Sequence, residues 1–278
     1  MLDARYHLFY SIAVILMLGF GILIGASYYG PIQVSHTNKM LAQLAAETNK
    51  VVQDRDQARD QLGKDEKALT ALRSILVRGK LAGKRVMLIQ TGDYADATEA
   101  ANAAASDAGA TVVATVILTR KWADLTPPQR DSLGSVAALT SALKSGTAAG
   151  GTSAAALQSM QDQGLITVSG DLAKPCTLFV IVSGYDDSST PNTLEGPLVD
   201  GFQSAPGTAA VVGCEPFGAA VSSIPTFQKA GVATVDCIDL PLGQLALPFA
   251  LRGETGAFGV KPTASQQLPT ALGGESGP

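Results

Sequence analysis

The chain has 278 residues, 46% of them hydrophobic but only 5% aromatic, and its 20 basic and 24 acidic side chains leave a net charge of −4. With no Lys/Arg cluster beyond residue 80, nucleic acid is not an expected partner. Three cysteines, Cys176, Cys214 and Cys237, lack metal-finger or Cys-x-x-Cys spacing and suggest no disulfide framework, with one pair left open.

Residues Leu8–Tyr29 (LFYSIAVILMLGFGILIGASYY) supply 22 consecutive positions without a charge. As a helix the run is about 33 Å long, and a bilayer core is about 30 Å thick. It exceeds the apolar core of a signal peptide, so residues 1–30 are read as an uncleaved transmembrane anchor. Arg5 before the span, against His36 and Lys39 after it, leans towards a cytoplasmic N-terminus and an extracytoplasmic bulk. Gly21 and Gly25 have the small-x-x-x-small spacing that lets two membrane helices dimerise.

Residues 31–80 read as one long helix. From Leu41, a heptad frame places Leu41, Thr48, Arg55, Leu62, Leu69 and Leu76 at a, and Leu44, Val51, Ala58, Asp65 and Leu72 at d. Eight of these eleven positions are apolar, the pattern of a coiled coil, although Arg55 and Asp65 interrupt the seam. The expected assembly is a homo-oligomer, a parallel dimer through span and coil. A single amphipathic helix is the alternative. About 37 residues of helix would hold the C-terminal region roughly 55 Å from the bilayer.

Residues 81–262 alternate strand and helix. Apolar runs at Arg85–Gln90, Thr111–Leu118, Cys176–Val182, Ala209–Val212 and Ala233–Cys237 read as strands. Between and after them lie an Ala-rich helix ending near Ala108 and helices near Leu194–Gln203, Ile224–Lys229 and Leu242–Leu251. Such short, fully apolar runs separated by helices predict a parallel-sheet, Rossmann-like α/β domain covered on both faces. Gly134 to Gly164, rich in Ala, Ser, Thr and Gly, is expected as a helical insertion or mobile loop, and residues 263–278 as a flexible tail.

No catalytic constellation emerges. His7 and His36 both flank the span, which leaves the α/β region without a histidine for a triad. P-loop, nucleophile-elbow, zinc-protease and dinucleotide fingerprints are absent from the sequence, and the chain is expected not to be an enzyme.

Two stretches carry a family resemblance. The opening Met1-Leu2-Asp3-Ala4-Arg5-Tyr6-His7 runs into the glycine-bearing span. Near the other end come Val235-Asp236-Cys237-Ile238-Asp239, then Gly243-Gln244-Leu245-Ala246-Leu247, then Gly259-Val260-Lys261-Pro262-Thr263-Ala264 and Leu268-Pro269. In this order they resemble the bacterial copper-transport outer-membrane (MctB-type) family. Cys237 stands where that family usually has Asn, and Phe258 where Tyr is common. The resemblance implies a membrane-associated protein of the outer membrane or cell envelope with a role in copper transport. Copper would be its cargo, but the resemblance supplies no ligand set.

Ligands of open parallel sheets bind beyond the carboxyl ends of the strands. Four such ends are polar here: Gly92-Asp93, Gly184-Tyr185-Asp186-Asp187, Gly213-Cys214-Glu215 and Asp236-Cys237-Ile238-Asp239. Cys214, Cys237, Asp236 and Asp239 are the candidate metal ligands, with Asp93, Asp186 and Glu215 as further ligand-site candidates. The competing reading makes both thiols small core residues and leaves the carboxylates as caps or solvated groups. Two functions are compatible with these features: copper transport or homeostasis, or a non-enzymatic coiled-coil envelope scaffold that positions a protein partner such as a cell-wall enzyme.

Overall fold

A computed structural model describes residues 4–125, 136–145, 152–187, 194–204 and 207–273. Met1 to Asp3 of the opening motif, part of the Gly134–Gly164 stretch and the end of the tail lie outside them. The chain divides into two compact units, residues 1–65 and 66–278.

The first unit is helical. Helix α1 is assigned over Ala4–Val77. Within it, Tyr6–Gly25 is a 20-residue stretch long and apolar enough to cross a membrane, with mean hydropathy 2.4. Gly21 has open space around its Cα, as does Gly25. Leu41, Leu44 and Leu62 are exposed on the single chain. In the second unit Leu69 and Leu72 of the same helix are exposed as well, whereas Val77 at its end is fully buried.

The second unit is a mixed α/β fold. Strands β1 (Arg85–Gln90), β2 (Thr111–Leu118), β3 (Ile166–Gly170), β4 (Leu178–Val182), β5 (Ala210–Cys214), β6 (Ala233–Val235) and β7 (Ala257–Phe258) form one sheet. Their order is β3-β2-β1-β4-β5-β6-β7. All neighbours run parallel except β2 and β3. The sheet is thus mostly rather than wholly parallel. Between β2 and β3 lie α3 (Lys121–Asp124) and a packed pair of longer helices, α4 (Val136–Ser145) and α5 (Thr152–Asp162). The pair returns the chain to the edge it left, so Leu118 pairs with Ile166 and β3 runs back along β2.

Alternation along the inner strands divides the core in two. Met87, Ile89, Phe179 and Ile181 face a cluster built with α4, α5, α6 (Glu195–Ser204) and α7 (Ile224–Lys229). Val86, Leu88, Val180 and Val182 face the other way, towards α2 (Ala95–Asp107) and α8 (Pro241–Leu251). On α2, Ala97, Ala101 and Ala104 repeat at helical spacing and are buried, a stripe small enough for close helix–sheet approach. Residues 263–273 belong to the described part of the expected tail. Leu268 and Leu272 pack on this core, and Phe258 bridges to Gln266.

Candidate functional site

Strand order reverses at β1/β4, and the polar ends of β1, β4, β5 and β6 gather at the carboxyl edge around it. Beyond β1 the backbone stays zipped to β4: Thr91 N–H donates to Val182 O at 2.9 Å and Asp93 N–H to Gly184 O at 3.1 Å. Gly92 permits this, since a Cβ there would lie 2.3 Å from Gly184 O.

The first polar group centres on Glu195, the opening residue of α6, which is fully buried. Three hydroxyls donate to its Oε1: Thr91 Oγ1 at 2.8 Å, Ser183 Oγ at 2.7 Å and Tyr185 Oη at 2.5 Å. Ser183 Oγ also lies 2.7 Å from Ser223 Oγ. Glu195 Oε2 is buried with no hydrogen-bond partner. Burial first, and then the adjacent Glu195 carboxylate, push the Tyr185 phenol far above its usual range. Sequence reasoning noted Tyr185 only as the neighbour of a strand-end aspartate and missed Glu195. Its partners come from positions 91, 183 and 185 and form no motif.

At the surface beside Thr91 and Tyr185, Arg120 joins two of the ligand-site candidates. Its guanidinium reaches Asp93 Oδ1 at 2.7 Å and Asp186 Oδ1 at 3.2 Å, and Asp186 N–H donates to Asp93 Oδ2 at 3.1 Å. Burial opposes ionisation of Asp93, but the hydrogen bonds from Arg120 and Asp186 outweigh it and hold the carboxyl below its usual value.

The second group is a clasp around Glu215, also fully buried. Lys261 Nζ donates to Glu215 Oε1 at 2.6 Å and to Pro216 O at 2.8 Å. Ser222 Oγ donates to both carboxylate oxygens, and Ser223 N–H to Oε2 at 2.7 Å. Beside it, buried Asp236 accepts N–H bonds from Val260 at 2.9 Å and Lys261 at 3.1 Å. Gly259 makes this approach possible: at φ +145°, a Cβ there would overlap the Asp236 carboxylate. The Val235–Asp239 and Gly259–Ala264 segments, far apart in sequence, therefore meet at one place.

Of the candidate metal ligands, Asp236 is occupied by backbone donors, and Asp239 accepts from Phe217 N–H at 2.7 Å. Cys214 and Cys237 are fully buried free thiols. Desolvation, then the proximity of Asp236, pushes Cys237 up to about 12, and burial likewise raises Cys214 above the usual thiol value. Cys176, just before β4, is likewise buried and shifted upward by desolvation. Among the described residues no group of three or more His, Cys, Asp or Glu is arranged to hold a metal ion.

The chain is similar to proteins named copper transporter MctB from Mycobacterium bovis and from two Mycobacterium tuberculosis strains, CDC 1551 and H37Rv. Each is 26% identical over 125 residues, covering 45% of this chain. The similarity spans 40% of the length of these curated relatives. The family model described as copper transport outer membrane protein, MctB, matches residues 1–157 and 123–269, and the chain belongs to that family.

Proposed function

We propose that this is a single-pass, membrane-anchored, non-enzymatic envelope protein that takes part in copper transport or homeostasis. The family match from residue 1 to 269 is the observation that carries the reading. The apolar stretch Tyr6–Gly25 supports the anchor. One helix cannot enclose a pore, so copper would cross through an oligomer of this chain or through a separate channel partner. The named relatives support copper as cargo. The carboxyl edge, where Cys214 and Cys237 are fully buried free thiols, favours an indirect part over direct copper(I) ligation.

The test is total cell copper under copper challenge, in a strain lacking the protein and in one with it restored. Excess copper that falls on restoration is the expected result. Equal copper in both strains would overturn the transport reading.

A specific observation favours the scaffold as second reading. Leu41, Leu44, Leu62, Leu69 and Leu72 follow the heptad pattern and stay exposed on the single chain. A parallel dimer would cover them and present the α/β domain to a protein partner in the envelope.

A further inference from the structure

We infer that Glu195 is the anchor of a cation site at the β1/β4 switch point, built for a monovalent, oxygen-preferring ion such as sodium or potassium. Proton ownership comes first. Thr91, Ser183 and Tyr185 each own one hydroxyl proton, and each donates it to Glu195 Oε1. They can offer Oε2 nothing but lone pairs. This buried oxygen is completed by a proton of its own, by a cation or by an outside donor.

Charge selects the positive species. The other buried glutamate of this edge, Glu215, has Lys261 at 2.6 Å, whereas among the described residues Glu195 has no ion-pair partner. Arg120, the cation beside Thr91 and Tyr185 in the fold, is held by Asp93 and Asp186.

The ligand set then selects the ion. A carboxylate oxygen and neutral hydroxyls form a hard, all-oxygen environment, which suits alkali and alkaline-earth ions and not copper(I). One carboxylate balances one positive charge. A calcium or magnesium site would draw on further carboxylates, and Asp93 and Asp186 are engaged by Arg120. The ion would tie β1, β4 and α6 together through Thr91, Ser183, Tyr185 and Glu195. Its occupancy would set the stability of this edge independently of any copper traffic.

The test is thermal unfolding of the full chain in detergent, in sodium, potassium or N-methylglucamine chloride at equal ionic strength. Wild type should gain about 4 °C or more in Tm with sodium or potassium, saturating with concentration. Glu195→Gln should unfold at the same temperature in all three salts. Tyr185→Phe, which keeps the carboxylate and removes one oxygen, should move the saturation midpoint about tenfold higher. Identical Tm values for wild type in all three salts would mean that a proton on Glu195 or a neutral donor such as water completes Oε2, and would overturn the site. A saturable shift given by magnesium or calcium chloride alone would overturn the monovalent assignment. The wild-type series decides both points even where a variant fails to fold.

Discussion

Glu195 and Glu215 are both fully buried at the carboxyl edge of one sheet, and both accept three donors, yet they differ in how the bonds are spread. Around Glu215 the donors cover both oxygens and one of them is a lysine, so charge and lone pairs are satisfied together. Around Glu195 all three donors are neutral and crowd onto Oε1, leaving Oε2 bare. A saturated, neutralised carboxylate is a closed part of the fold. A buried carboxylate with one bare oxygen is a place where something else belongs. The difference separates the region that holds the C-terminal segment in place from the region able to respond to a ligand.

The largest effect should come from breaking the closed side. Lys261→Met leaves Glu215 buried without a counter-charge and should cost about 3–5 kcal/mol in urea unfolding. Adding Glu215→Leu should recover part of that loss, because a charge-free pair no longer strands a carboxylate. A single-variant cost below about 1 kcal/mol would place this bridge with ordinary surface pairs and erase the contrast.

A smaller effect sharpens the open side. Tyr185→Phe removes one hydrogen bond to Glu195 and should cost about 1.5–3 kcal/mol, and Thr91→Val should cost less. Because both hydroxyls share Oε1, the double variant should depart from the sum of the singles. Strict additivity in chemical denaturation would show that Thr91 and Tyr185 do not act on one acceptor.

How far these regions could be read from the sequence depends on their chemistry. Arg85–Gln90 and Thr111–Leu118 are strands with the bounds expected of them, since inner strands of a sheet covered on both faces must be continuously apolar. The short β7 was not foreseen: Ala257–Phe258 has no pattern of its own and is set by β6 and Gln266. Nor was β3, whose Thr167 and Ser169 give it an edge-strand composition. The clasp was half legible. Asp236 and Glu215 stood out as polar residues at strand ends and Lys261 lay in the family-like segment, but nothing in their spacing tied them together. Glu195 was illegible, because a lone glutamate ahead of Pro197 and Leu198 reads as a helix N-terminal charge. Only the fold delivers three hydroxyls to it.

The smallest expected effect concerns the surface beside the open side, and its sign is set by Asp93. In the folded chain this carboxyl is held below its ordinary value of 3.8, so the folded state binds the proton less readily than the unfolded state. The stability contributed by Asp93 is therefore complete above the unfolded value and is lost as pH falls through the lower folded one. Arg120 is 59% exposed, which keeps the size of the effect to about 0.5–1 kcal/mol. Comparing wild type with Asp93→Asn should give a constant difference from about pH 7 down to about pH 5, shrinking towards pH 2. High salt should reduce the difference at pH 7, as it does for exposed pairs. A difference that keeps its full size at the acidic end would assign Asp93 a neutral role, accepting the Asp186 N–H, and Arg120 would no longer be a source of stability at this edge.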